Sequence, residues 1–276
     1  MPDSLLARTN IGNLDFSAKF QEQGGNALAS NHPIRSTIIE MNGIGKRGDR
    51  LNTDWKQVEH ILRQVRLKGN DRNEPVTIET YSDQLQCIGI GTDAAVFQYQ
   101  ELPAYAFKVF TEYSLEKKDA EESVYLRLGN SPYFAEYYGK GANFLVLSFE
   151  EGVTLYDCLL QGIKVPRQVM EDVEQAKNYV RSLGLNPRDI HLKNVLLQHG
   201  RAKVLDVSEY IKEGDDHRWE HLRWAYDHLY SLIEGKQVPS WILDTVKQWY
   251  GRVNNSSFSI DEFAEQVARL FSLHRK

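Results

Sequence analysis

The spacing of apolar residues changes along the chain, and its N-terminal part has the weakest pattern. Residues 1–33 are rich in Asn, Gln, Ser and Gly and show little apolar periodicity. In residues 53–67, apolar side chains recur at intervals of three and four, as on one face of a helix that Thr53 would cap. We expect residues 1–70 to form an N-terminal extension that is flexible in part and contains one helix.

Short apolar segments separated by turn residues follow, and each has the length and composition of a β-strand. A helix is expected among them at residues 114–128. Strands with one embedded helix predict a small antiparallel sheet over residues 71–148. The strand segments are 76–81, 87–88, 95–97, 106–110 and 145–147.

Helical spacing dominates from residue 149 to the end. Pro166 and Pro239 stand where helices would begin, a position that proline favours. The expected helices are 154–161, 166–183, 217–234, 239–250 and 259–273. One hairpin with its turn at His199–Gly200 interrupts them. The chain therefore predicts an α+β protein in which a small sheet-rich lobe precedes a larger helical lobe, residues 149–276.

Composition excludes several classes of protein. The 276 residues are 41% hydrophobic and 26% charged, which is ordinary for a globular protein, and the net charge of −5 is opposite to that of a typical nucleic-acid binder. Cys87 and Cys158 fit neither a metal-ligand spacing nor a disulfide scaffold. The first residues lack the basic region and apolar run of a secretory signal. We expect a cytoplasmic protein with no membrane or nucleic-acid partner.

Two glycine-rich segments could approach a phosphate group. The first is a G-x-G-x-x-G match at Gly43, Gly45 and Gly48, but the helix expected after it begins too late for a dinucleotide site, so a surface loop is the better interpretation. The second is IGIGTDAAV at residues 88–96, between two expected strands. Glycines there would let backbone amides reach phosphate oxygens.

Charged and amide residues follow at intervals that suit phosphoryl transfer. Lys108 is flanked by apolar residues on an expected strand, so its ammonium group needs a specific place. Asp189 and Asn194 are five residues apart on one expected loop, and Asp206 ends the next apolar strand 17 residues after Asp189. Phosphoryl transfer requires mainly positioning and charge neutralisation, and these residue types provide both.

From about residue 85 to its end, the chain resembles the protein kinase superfamily, and most of all its short bacterial serine/threonine kinases. Residues 88–96 resemble the glycine-rich loop G-x-G-x-x-G-x-V, with Ala94 at the third glycine. Residues 186–197 resemble the catalytic loop H-R-D-L-x-x-x-N, and Asp206 matches the D-F-G aspartate. The resemblance implies a bilobal kinase fold, ATP as phosphoryl donor, and Mg²⁺, or Mn²⁺ in its place, as cofactor.

The resemblance also implies a role for each residue. Asp189 would receive or orient the proton of the acceptor hydroxyl, Asn194 and Asp206 would hold the metal, and Lys108 would bridge the α- and β-phosphates. The implied acceptor is a serine or threonine of a protein substrate, which could be the chain itself. The implied nucleotide contacts are Ile88, Gly89, Gly91, Ala94, Val96, Lys108, Leu147 at the gatekeeper position, and Phe149.

Kinases fix this lysine with a carboxylate from the following helix, and the chain offers two neighbours, Glu121 and Glu122. Helical phase does not fully separate them. Pro132 lies ten residues after Glu122, a spacing like that between the helix glutamate and the His-Pro turn of kinases. We therefore expect Glu122 to pair with Lys108, with Glu121 as the alternative.

The chain departs from the kinase pattern in three places. Pro187 replaces the histidine of H-R-D, although Arg188 is kept, and Asp-Val-Ser at 206–208 replaces D-F-G. Only about ten residues separate Asp206 from the next expected helix, too few for a long activation loop. We expect no control by phosphorylation of that loop. Asp216 either anchors the catalytic loop or lies in a solvated turn.

Three hypotheses for the activity stay open. His191 stands where protein kinases usually have lysine and where aminoglycoside- and choline-kinase-like enzymes often have histidine. The retained Arg188 and the compact C-terminal region favour a protein kinase over a small-molecule kinase. The third hypothesis is a pseudokinase that acts as a nucleotide-binding interaction module, and the presence of all five charged and amide residues argues against it. The oligomeric state is not predicted.

Overall fold

The computed structural model describes residues 54–70, 74–253, 265–267 and 269–270. The predicted tail at 1–33, the glycine motif at 43–48, Thr53 as a helix cap and most of the predicted helix at 259–273 lie outside these residues. None of the helices in the described ranges has both the length and the apolar character needed to cross a membrane.

The helix predicted at 53–67 is shorter and more irregular than expected. A 3₁₀ turn at Asp54–Val58 leads into α1 (Glu59–Leu62), and the chain then forms a two-stranded antiparallel sheet from β1 (Arg66–Lys68) and β2 (Thr77–Thr80). Trp55, Val58 and Ile61 recur every three residues, which suits the 3₁₀ period as well as one face of an α-helix. The apolar pattern alone therefore did not show where the helix would stop.

A five-stranded antiparallel sheet follows, in the order β3-β4-β5-β7-β6. A short 3₁₀ turn (Glu112–Ser114) and helix α2 (Leu115–Leu128) connect β5 to β6. The strands are β3 (Leu85–Ile90), β4 (Ala94–Tyr99), β5 (Leu102–Phe110), β6 (Tyr137–Lys140) and β7 (Phe144–Ser148).

The segment before the sheet packs on one of its faces and shares its core. The ring of Trp55 meets Phe144 of β7 edge-on, with ring centroids 6.1 Å apart. Gly139 of β6 has φ +154°, and a Cβ there would come within 2.6 Å of the Trp55 ring, so only glycine allows this approach. Residues near 55–65 are thus part of the same hydrophobic core as the sheet.

Helices dominate the rest of the described chain, as predicted. They are α3 (Leu155–Gln161), α4 (Arg167–Ser182), α5 (Arg218–Leu229) with a 3₁₀ turn at Tyr230–Leu232, and α6 (Ser240–Val253). A three-stranded sheet in the order β10-β9-β8 interrupts them, formed by β8 (Val153–Thr154), β9 (Val195–Gln198) and β10 (Arg201–Val204). The predicted α+β fold, a small antiparallel sheet with one helix followed by a larger helical part, is confirmed.

Two local features position the loops of the candidate site. The β9–β10 hairpin turns at His199 and Gly200, whose φ angles of 49° and 79° are the left-handed values that a tight hairpin turn needs. The inner face of α2, with Val124, Tyr125 and Leu128, belongs to the core of the helical part. Helix α2 therefore connects the five-stranded sheet with the elements that carry the catalytic loop.

Candidate active site

Strand β5 and helix α2 bring Lys108 against Glu121. The Lys108 Nζ lies 2.8 Å from Oε1 and 2.7 Å from Oε2 of Glu121, whose side chain is fully buried. Glu121 shares one face of α2 with the buried Val124, Tyr125 and Leu128, three, four and seven residues further on. The helix register therefore directs this carboxylate toward the sheet.

The choice of Glu122 as the partner of Lys108 was wrong, and the alternative, Glu121, is the residue that the structure brings there. One residue further along a helix is a rotation of about 100°. Glu122 accordingly accepts hydrogen bonds from the Tyr137 hydroxyl and the Lys140 ammonium group, both at 2.7 Å. The spacing to Pro132 does not set the helix phase, which decides between adjacent residues.

Asp206 completes the charged cluster from the end of β10. Its Oδ2 lies 3.5 Å from Lys108 Nζ, and its Oδ1 accepts a hydrogen bond from the Ser208 amide at 3.0 Å. Burial would lower the pKa of Lys108, but Asp206 and Glu121 together raise it above its usual value. Burial raises the pKa of Asp206, but Lys108 and the Ser208 amide outweigh that effect and lower it. Both groups are therefore charged at neutral pH.

The catalytic loop holds Asp189 in a left-handed backbone conformation, with φ 54°, which is uncommon outside glycine and recurs at active sites. Its amide donates to Asp216 Oδ2 at 2.8 Å, so Asp216 does anchor this loop. Its carbonyl accepts from Asn194 Nδ2 at 3.1 Å. Burial raises the pKa of Asp189 to about 6; nearby carboxylates, including Asp206, add to this and Arg218 opposes it.

Asn194 and Asp206 fit a divalent cation. The Leu205 amide donates to the Asn194 carbonyl at 2.9 Å, so the two residues lie on adjoining backbone segments. Because the Asn194 side-chain nitrogen is used by Asp189, its amide oxygen remains for a ligand. An amide oxygen together with a carboxylate is the hard oxygen donor set that Mg²⁺ prefers.

The predicted phosphate loop is the tight turn between β3 and β4. The Gly91 amide donates to the Ala94 carbonyl at 2.8 Å, which closes the turn. Asp93 ties it to the start of α2, because its Oδ1 accepts from Ser114 Oγ at 3.0 Å and from Lys117 Nζ at 2.6 Å. The loop that would cover a nucleotide is thus fixed to the helix that carries Glu121.

The remaining predicted nucleotide residues lie on neighbouring strands. Val96 pairs with Gly89 on one side and with Lys108 on the other. Ile88 is 38% exposed, an accessible apolar side chain next to the loop. Leu147 is buried, and the Phe149 amide already donates to the Ala104 carbonyl at 2.8 Å, so that N–H is not available to a ligand.

The short segment between Asp206 and α5, residues 207–217, is fixed by hydrogen bonds to its backbone carbonyls. Asn186 Nδ2 donates to the carbonyls of Lys212 and Gly214, at 2.8 and 2.6 Å. The guanidinium group of Arg188 donates to the Glu213 carbonyl. The sequence gives no sign of these contacts, because any residue type can offer a backbone carbonyl as acceptor.

Arg218 is a side chain at the site that the sequence did not point to. It is the first residue of α5, and its guanidinium group donates a hydrogen bond to the carboxylate of Asp189. An exposed arginine at a helix start fits no motif, and 29 residues separate it from Asp189. Only the path of the intervening chain brings the two together.

Comparison with known proteins agrees with this geometry. No protein-family model matches the chain. A curated protein of Bacillus subtilis (strain 168), named "Putative serine/threonine-protein kinase YrzF", is 31% identical over 202 residues, which cover 70% of this chain and 93% of that protein. The similarity extends over nearly the whole length of the relative. The chain belongs to the protein kinase superfamily.

Proposed function

We propose that this chain transfers the γ-phosphoryl group of ATP, with Mg²⁺ or Mn²⁺ as cofactor, to a serine or threonine hydroxyl of a protein. The observation that carries the proposal is the charged cluster in which Lys108 lies 2.7 Å from Glu121 and 3.5 Å from Asp206. Asp189 and Asn194 on one loop adjoin that cluster. The named relative and the membership of the kinase superfamily support the choice of reaction.

Each residue has a part in this reaction that follows from its contacts. Lys108, held by Glu121, binds the phosphate oxygens of the donor. Asn194 and Asp206 hold the cation, which supplies positive charge to the phosphate oxygens. Asp189 orients the acceptor hydroxyl and takes its proton as the hydroxyl oxygen bonds to the γ-phosphorus and the bond to ADP breaks. A pKa near 6 leaves this carboxylate ionised at neutral pH.

The apolar side of the site supports a nucleotide as donor. Ile88 is exposed beside the loop, and Val96 pairs with Lys108 on the adjacent strand. Leu147 lies opposite Ala106 on the same sheet. Apolar side chains beside a cluster of phosphate-binding groups suit a planar base joined to a polyphosphate.

His191 favours a second candidate, transfer to a small hydroxyl compound. Its ring faces the acceptor side of the site, with Nε2 3.9 Å from Asp189 Oδ1. This histidine follows the small-molecule kinase pattern rather than the lysine of protein kinases. Against this second candidate, the chain retains Arg188, the arginine that precedes the base in protein kinases.

One experiment separates these candidates and the interaction-module hypothesis. The purified chain is incubated with magnesium and γ-labelled ATP, beside an Asp206→Ala control, with generic protein acceptors and a panel of small alcohols. Label in protein, absent from the control, supports the proposal. Label only in a small molecule supports the second candidate. Nucleotide binding without transfer to any acceptor would overturn both and leave a pseudokinase.

A further inference from the structure

The basic residues of the catalytic loop itself do not reach Asp189. The Arg188 guanidinium donates to the Glu213 carbonyl. The Lys193 ammonium lies over the ring of Tyr156, 4.6 Å from its centroid. Each side chain is therefore engaged away from the carboxylate that would receive the acceptor's proton.

His191 is close to Asp189 but carries no charge. Its Nδ1 accepts the Lys193 amide proton at 3.2 Å, so the ring proton is on Nε2, which faces Asp189. A ring that accepts a hydrogen bond at Nδ1 and carries its proton on Nε2 is neutral, so it does not replace the lysine of protein kinases.

Arg218, at the start of α5, supplies the positive charge beside Asp189 that the catalytic loop itself does not provide. Its guanidinium donates to Asp189 Oδ1, and its Nε lies 3.7 Å from Asp216 Oδ2. Asp216 accepts the backbone amides of both residues, Asp189 at 2.8 Å and Arg218 at 3.2 Å. This double anchor fixes the start of α5 against the catalytic loop, so the arginine is held by backbone as well as by charge.

We propose that Arg218 is the positioning residue of the acceptor site: it holds one oxygen of the Asp189 carboxylate and leaves the other for the acceptor hydroxyl. The inference rests on the proposed function, in which Asp189 orients that hydroxyl. The acceptor-side charge that protein kinases place two residues after the base is supplied here by the helix that follows the short segment.

The test is the kcat and KM of four variants in the magnesium–ATP transfer assay. Arg218→Gln should lower kcat about 100-fold, the order expected for a misplaced catalytic group, with little change in the KM for ATP. Arg218→Lys should recover most of kcat, because an ammonium group can replace the contact. The double variant Arg218→Gln with His191→Lys should also recover kcat, since a lysine then lies two residues after Asp189 on the catalytic loop and can contact its carboxylate. Arg223→Gln, on the same helix and paired with Asp227, is the matched control and should keep the kcat of the unaltered chain.

The outcomes separate the inference from the proposed function. No transfer by the unaltered chain overturns the proposed function and the inference with it. If the unaltered chain transfers phosphate and Arg218→Gln has an equal or higher kcat, the inference alone is overturned. A lowered kcat that neither lysine variant restores, together with a lowered melting temperature for every Arg218 variant, also overturns it, because Arg218 would then be needed only for folding.

Discussion

The two halves of the candidate site, the cluster around Lys108 on the proposed nucleotide side and the pair around Asp189 on the proposed acceptor side, differ in how their charged groups are held. On the nucleotide side, Lys108 is 13% exposed and Glu121 is fully buried, and the two bind each other directly. On the acceptor side, Asp189 and Arg218 are 32% and 45% exposed, and backbone hydrogen bonds to Asp216 fix them. The first half depends on charge pairing inside the protein, and the second on the path of a loop.

This difference accounts for two of the departures from the kinase pattern, those at Pro187 and His191. Removing one member of a buried ion pair leaves the other uncompensated, so such residues cannot change singly. The cationic partner of a half-exposed carboxylate can be replaced by a residue elsewhere in the chain, because water solvates the carboxylate when one partner is lost. The departures at Pro187 and His191 accordingly lie on the acceptor side, and the buried pair keeps its residue types.

The largest effect is expected at the buried pair. Lys108→Met should lower phosphoryl transfer by on the order of 1,000-fold, because it removes the cation that contacts the donor phosphates. Initial rates with labelled ATP measure this loss. Lys140→Met is the control, since Lys140 pairs with Glu122 outside the cluster and should keep its rate. A Lys108 variant within tenfold of the unaltered rate would contradict the assignment.

Two adjacent glutamates give the next largest contrast. Glu121→Gln should lower kcat/KM by roughly 10- to 100-fold, because Lys108 then loses the charge that positions it. Glu122→Gln, one position away on the same helix, should have little effect. Steady-state kinetics on both variants measure the difference. Equal losses in the two would show that general damage to α2, and not the pairing, causes the defect.

The same two residues show what the sequence could predict. Glu121 has Val124, Tyr125 and Leu128 on its own helix face, three apolar residues at helical spacing that mark the buried side. The helix face that carries Glu122 also has an apolar residue, Leu126, four residues further on, but the Leu126 side chain is 64% exposed. The sequence does not show that Leu126 faces solvent, so helical phase alone does not separate the two glutamates. The packing of the helix against its sheet does.

Elements with local causes were predictable, and contacts that depend on chain path were not. The β9–β10 hairpin follows from its turn residues, and α3 begins where Thr154 Oγ1 accepts the Asp157 amide at 3.0 Å. The contact of Arg218 with Asp189 depends instead on where the segment after Asp206 leads. No propensity or spacing encodes that path, so this member of the site required the folded chain.

A third prediction concerns the support of β10, the strand that precedes Asp206. Asp172 on α4 is 1% exposed and accepts four hydrogen bonds at 2.7–2.9 Å, two of them from Arg201 and one from the Ala202 amide of β10. Asp172→Asn should lower the free energy of unfolding by about 2 kcal/mol, the scale of hydrogen bonds to a charged group. Denaturant unfolding measures it. Glu171→Gln, an exposed neighbour, is the control.

The loss of stability caused by Asp172→Asn should depend on pH, and the pKa shift of Asp172 gives the direction of that dependence. Burial raises the pKa of Asp172, but the hydrogen bonds from Arg201, Ala202 and Gln168 outweigh it, so the pKa in the folded protein is below its usual value. The stabilisation is therefore complete above the unfolded pKa of about 4 and is lost as the pH falls through the folded value. The difference in free energy of unfolding between the unaltered chain and Asp172→Asn should therefore decrease as the pH falls below about 4. A difference that stays constant would point to a steric cause.

The smallest expected effect is that of phosphatase treatment, which should leave the rate of transfer unchanged. In a kinase with a long activation loop, the arginine before the base binds a phosphorylated residue of that loop. Here Arg188 binds the Glu213 carbonyl, and Asn186 binds two further carbonyls of the same segment, so that segment is already ordered. Its two hydroxyl residues are Ser208, whose amide is bound to Asp206, and the buried Tyr210. Equal rates before and after treatment, with removal of phosphate verified by mass spectrometry, are expected; a drop of tenfold or more would show that the acceptor side depends on a phosphate after all.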